Sequence, residues 1–92
     1  MHVVMRSHPT TEVADLLVRH KDEIEKLIRT VPGFVSWSLI RTGNTCMTAT
    51  ICQDKAGCDA SMQLSRDWLG KNAPNTLSTM QVQEGEVLLR VT

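Results

Sequence analysis

Three histidines, three cysteines, two tryptophans and no tyrosine make up most of the chemically capable minority of this 92-residue chain. His20 stands in the middle of an apolar series, Val13, Leu16, Leu17, Ile24, Leu27, Ile28 and Val31, that recurs at helical spacing. An imidazole there faces whatever the stripe covers, so it is the candidate catalytic base for a ligand held between helix and sheet. The blander alternative is a core histidine bonded to a backbone carbonyl. Trp68 lies at the edge of a second stripe formed by Cys58, Met62, Ser65 and Leu69, where its ring would stack on a flat ligand or cover the rim of the domain. Trp37 falls in an alternating run and reads as core, as dimer contact or as pocket wall.

The remaining candidates reduce to simpler accounts. His2 and His8 stand about 20 Å apart on an extended strand, too far to share an ion, and no metal site is expected. Cys46 and Cys52 on one strand are about 20 Å apart, beyond disulfide reach, and the odd number of cysteines points to reduced, buried thiols. Arg6 and Arg90 read as solvated strand ends or interface pairs, with an anion clamp as the minority view. No Gly-rich phosphate loop, Cys-x-x-Cys or His-Glu-x-x-His occurs, which disfavours phosphoryl transfer, thioredoxin chemistry and zinc hydrolysis.

Ten basic side chains balance ten acidic ones without clustering, so nucleic acid and anionic membranes find no electrostatic footprint. No apolar run approaches the ~20 residues of a membrane span and no secretory leader is evident, which predicts a cytoplasmic protein. A chain this short forms one domain, residues 1–92, with a marginal core that oligomerisation would supplement.

The elements that must hold these residues follow from patterning. Met1 to Arg6 reads as a strand ended by Ser7-His8-Pro9, and one long helix runs from Thr10-Thr11-Glu12 to Pro32-Gly33. Acid-to-base pairs Asp15 with Arg19, Asp22 with Lys26 and Glu25 with Arg29 mark its solvated face. Phe34 to Ile40 and Thr45 to Cys52 form a hairpin across Gly43-Asn44, whose residues are taken to need positive φ. That turn sets Trp37 opposite Thr50, Leu39 opposite Thr48, Ile40 opposite Met47 and Ser38 opposite Ala49. Asp54 caps a second helix ending near Trp68 or Leu69, Gly70 to Asn75 is a loop, and Thr79 to Val91 is the last strand. The order β-α-β-β-α-β predicts an α+β ferredoxin-like fold, a four-stranded antiparallel sheet with both helices on one face. Because neither face of the hairpin is charged, the other face is expected to pack on a second copy, making a homodimer.

The spacing of Val31-Pro32-Gly33-Phe34, the hairpin, Asp54 to Ser61 and Glu84-Gly85-Glu86-Val87-Leu88 resembles the antibiotic biosynthesis monooxygenase family. The resemblance implies a dimeric α+β barrel in which two ferredoxin-like protomers join sheets and the last strand reaches across to the partner. It also implies a cofactor-free oxygenase of anthrones or quinols, with Trp68, Asn72 and Arg90 in substrate-binding roles; the family's tyrosine is missing. Haem-degrading members use an Asn in the first strand with a Trp and a His of the second helix. Only Trp68 matches, so haem is not an expected substrate.

Together these readings predict a protein that binds a small apolar or aromatic molecule, polyketide-like, and oxidises it without cofactor. His20 would be the base, with Trp68, Trp37, Ser65, Asn72 and Arg90 around the substrate. The competing reading is a non-catalytic binding or structural homodimer of the same fold.

Overall fold

A computed structural model describes residues Met1–Thr92. The elements are β1 (His2–His8), α1 (Glu12–Arg19), α2 (Lys21–Ile28), β2 (Phe34–Thr42), β3 (Thr45–Cys52), α3 (Lys55–Asn72), a short 3₁₀ turn (Pro74–Thr76) and β4 (Gln81–Glu86). All neighbouring strands run antiparallel in the order β2-β3-β1-β4, which places the first strand at the centre. The helices pack on one face, as the ferredoxin-like pattern predicts.

The hairpin register agrees with the expectation at all four pairs: Trp37 meets Thr50, Ser38 meets Ala49, Leu39 meets Thr48 and Ile40 meets Met47. Only Gly43 has positive φ, at 59°, and Asn44 does not, so the turn has the pattern of type II′, not a turn with two left-handed residues. A register shift between Phe34 and Ser36 inserts Val35 as an extra residue and puts both Phe34 and Trp37 on the helix side.

Besides β1, which runs on to His8, three elements differ from the sequence reading, each for a local reason. The single expected helix is broken at His20, whose backbone (φ −109°, ψ 26°) departs from helical values. Its N–H is shared between the carbonyls of Leu16 and Leu17, both at 3.2 Å, and the chain restarts with Ile24 N–H bonded to the His20 carbonyl. The bend lets Val13 and Leu17 of α1 and Ile24 and Ile28 of α2 bury against one curved sheet. Second, α3 runs through Gly70 to Asn72 and stops only before Pro74, because Gly70 lacks the positive φ that would end it. Third, β4 ends at Glu86. Its neighbour β1 offers one further rung, Val87 N–H to the Met1 carbonyl at 3.0 Å.

Capping and docking are specific. The Asp54 carboxylate accepts the Gly57 N–H at 3.2 Å, as the cap reading predicts. Gly57 is buried against the end of β3: a Cβ there would overlap the Pro32 carbonyl oxygen and stand 2.8 Å from the Cys52 Cβ, so only glycine lets α3 approach this closely. Asp15 does not pair with Arg19; its carboxylate accepts from Arg41 at 2.6 Å and ties α1 to β2. Buried side chains fall on alternate strand positions, Val4, Arg6 and His8 in β1 and Cys46, Thr48, Thr50 and Cys52 in β3. The opposite face presents Val3, Met5, Ser36, Ser38, Ile40, Met47, Ala49 and Ile51 without a charge and without a helix over it. No helix is long and apolar enough to cross a membrane.

Candidate functional site

Between helices and sheet lies a cavity of about 50 Å³, room for a few water molecules. Its walls are apolar: Leu17 from α1, Ile24 and Ile28 from α2, Leu64, Trp68 and Leu69 from α3. The floor is the sheet, and it is polar, carrying Arg6, His8, Thr48 and Thr50 beside Trp37. An outer cleft of about 460 Å³ between α1, α2 and β2 shares Leu17, Ile24, Ile28 and Trp37 with the cavity. That size is within the ~300–1,000 Å³ of small-molecule sites.

Arg6 overturns the expectation of a solvated strand end. β1 extends two residues past it, so period-two alternation turns its side chain inward beside Val4, and it is only 4% exposed. Its Nε donates to Thr48 Oγ1 at 3.1 Å, Nη2 to Thr50 Oγ1 at 2.7 Å and Nη1 to the Met62 sulfur at 3.2 Å. No carboxylate pairs with it. Burial alone lowers its pKa from the ordinary guanidinium value to about 10, still charged at neutral pH; the Cys58 and Cys52 thiols oppose the shift.

His8, two residues on and on the same face, is 4% exposed and its Nδ1 has no hydrogen-bond partner. Burial, reinforced by the Arg6 charge, holds its imidazole below the ordinary 6.5, so it is neutral at pH 7. The unfolded chain takes up this proton near 6.5 and the folded chain only at lower pH; the associated stability is therefore complete above 6.5 and lost as pH falls below it. Thermal unfolding of the protein is expected to show a midpoint that drops on acidification from about pH 6.5, with a shallower drop in His8→Asn. Equal slopes for the two proteins would show that His8 is protonated equally easily in both states.

The residues singled out in the sequence divide into two groups. Trp37, Trp68 and Ser65 line the cavity. Trp68 is 8% exposed and belongs to the core cluster, its Nε1 donating to the Glu23 carboxylate at 2.6 Å. His20 does not line the cavity. It sits at the break between α1 and α2, its ring edge-on to Trp68 with centroids 5.5 Å apart, its Nδ1 3.8 Å from Glu23 and its side chain 42% exposed. Asn72 donates to the Trp68 carbonyl at 2.8 Å at the end of α3, and Arg90 is exposed beyond β4; neither reaches the cavity. The thiols are buried and unpaired, and burial pushes Cys52 up to about 11, so it is no thiolate nucleophile.

His8, Thr48 and Thr50 were missed as site residues, and Arg6 was weighed only as a minority anion clamp. The signal was present: extending the Val4 face by two places gives Arg6 and His8, and Arg6 then falls opposite Thr48.

The topology, an antiparallel β2-β3-β1-β4 sheet with its helices on one face, defines a ferredoxin-like α+β protein, the fold of antibiotic biosynthesis monooxygenases. A monooxygenase from Streptomyces coelicolor, determined with nanaomycin D, is 16% identical, with a TM-score of 0.68 over 99% of this chain and 90% of that one. A dimeric ferredoxin-like protein from an uncultured marine organism is 12% identical, with a TM-score of 0.64 over 99% and 95%. SnoaB, a cofactor-independent oxygenase from Streptomyces nogalater, is 15% identical, with a TM-score of 0.57 over 99% and 94%. No family model matches the sequence. No curated protein matches it either. At such identities the likeness establishes the fold, and the reaction has to be argued from the site.

Proposed function

We propose that the protein is a homodimeric, cofactor-independent oxygenase of small flat aromatic molecules, with anthrones as the model substrate class. The observation that carries this reading is a buried, unpaired cation in the floor of an apolar cavity flanked by two tryptophans. The ring lies against Trp37 in the outer cleft and reaches inward toward Trp68 and Ser65. Support for the chemistry comes from the monooxygenases that share the fold, and support for the dimer from the uncharged sheet face and the dimeric protein of like fold.

The reaction requires little of the protein. A methylene beside an aromatic ketone loses one proton to a base, and the resulting electron-rich anion supplies its own electrons to O₂. One oxygen atom enters the ring as a carbonyl and the other leaves as water with both methylene hydrogens. Binding the ring, removing the proton and excluding bulk water are the tasks left to side chains. The base is His8, neutral and unpartnered in the cavity; His20, kept outside by Trp68, steadies that ring.

Oxygen uptake with an anthrone and metal-free protein is expected to exceed the no-enzyme rate and to consume one O₂ per ring. General-base assistance is worth about 10² to 10⁴ in rate, so His8→Ala should lower kcat by about a hundredfold, and His20→Ala far less. A flat trace across a panel of anthrones and quinols would leave a non-catalytic binding protein of this fold. The reverse order of the two histidine variants would return the base to His20.

A further inference from the structure

We propose that Arg6, Thr48 and Thr50 form an anion subsite in the cavity floor that takes the ionised oxygen of an enol or phenol. The ring of that ligand rests on the aromatic reading above; the subsite rests on the polar floor alone.

Beside the neutral imidazole of His8, the floor is rich in donors and holds no anionic acceptor. A guanidinium carries five N–H groups, and three of those of Arg6 are engaged, by Thr48, Thr50 and the Met62 sulfur. Two remain without a partner. Both threonine hydroxyls accept from Arg6, which leaves each O–H free to donate, and neither donates to any acceptor of the chain. Four donors thus lie without partners on two adjacent strands, around a side chain that is 4% exposed. In a folded interior such groups are normally paired, and a charge without a counter-charge is the costliest exception. A bound oxyanion supplies the missing acceptor and the missing charge together.

The surroundings select which anion. Small, hard anions lose most on leaving water, and this cavity compensates with one cation and few polar groups. An enolate or phenolate spreads its charge into the ring, so its desolvation is cheaper, and its apolar part meets Trp37, Trp68, Ile24 and Ile28. The two threonines and Arg6 then address a single oxygen at the tip.

The test uses two probes with the same ring, 4-nitrophenol, which ionises, and 4-nitroanisole, which does not. Titration of the whole protein at a pH where both forms of the phenol are present should show the phenolate absorbance growing on binding. Phenolate should bind tighter than the anisole by about tenfold or more, the scale of a charge-assisted hydrogen bond. In Arg6→Met that preference should vanish while anisole binding stays within about twofold, and Arg6→Lys, which keeps the charge and loses the fork, should fall between. Thermal unfolding of each variant confirms that it is folded. Equal affinity for the two probes, or an unchanged preference in Arg6→Met, overturns the subsite while leaving the aromatic reading intact. If neither ring binds, both readings fall.

Discussion

Replacing Arg6 by Met, Thr48 by Val and Thr50 by Val in one chain is expected to raise stability while removing the preference for anionic ligands. The geometric reason is that Arg6 is buried with no carboxylate beside it, so the folded state carries an uncompensated charge. The fall of its pKa from the ordinary guanidinium value to about 10 corresponds to roughly 3 kcal/mol lost by the charged form on burial. Exchanging buried ionic groups for apolar ones of similar volume stabilises by about 1–4 kcal/mol where the polar cluster was poorly compensated. For a domain of this size each kcal/mol moves the melting temperature by roughly 4–8 °C. Arg6→Met alone should gain less, because the Thr48 and Thr50 hydroxyls lose their partner, and each buried orphan costs about 1–3 kcal/mol. Calorimetric unfolding of the three proteins decides the matter. A triple variant less stable than the parent would mean that the hydrogen bonds of Arg6 outweigh its burial and that the residue is structural. The expected gain is what a functional site held at the expense of stability looks like.

Ala49→Asp is expected to dissociate the proposed dimer. Ala49 lies near the middle of β3 on the face away from the helices, paired with Met5 of β1 and Ser38 of β2. Val3, Met47 and Ile51 surround it, and no charged side chain occupies the central strands of that face. In a two-fold interface any substitution enters twice, so two carboxylates would be buried without partners. Burying an unpaired charge at an interface costs about 2–5 kcal/mol, which weakens association by about a hundredfold or more. Sedimentation at micromolar concentration should show twice the 10.3 kDa chain mass for the parent and the chain mass for the variant. Gln63→Lys, on the exposed side of α3, should leave the mass unchanged. A parent that sediments as a single chain, or an Ala49→Asp protein that remains paired, would remove this face from the assembly.

The contrast between what was legible in the sequence and what was not follows from the range of the interactions. Element order, the hairpin with its register, the Asp54 cap and the uncharged outer face all rest on contacts between near neighbours or on period-two and helical spacing, and those periods are written in the chain itself. The bend at His20 was not legible, because the same apolar stripe suits one straight helix or two helices that follow a twisted sheet, and only the sheet's curvature chooses. The end of β4 was not legible either: its side chains favour strand as far as Val91, while its pairing with β1 stops at the rung between Val87 and Met1. The site shows the same division. Trp37, Trp68 and Ser65 could be placed on inward faces from spacing alone, while the exclusion of His20, Asn72 and Arg90 from the cavity depends on which element covers which. Arg6 and His8 alternate with Val4, so their inward direction is a property of the sequence once β1 is given its full length. That Arg6 bonds to Thr48 and Thr50, and that no carboxylate pairs with it, is a property of the tertiary structure, because a counter-charge 50 residues away in the chain is visible only after strands and helices have packed.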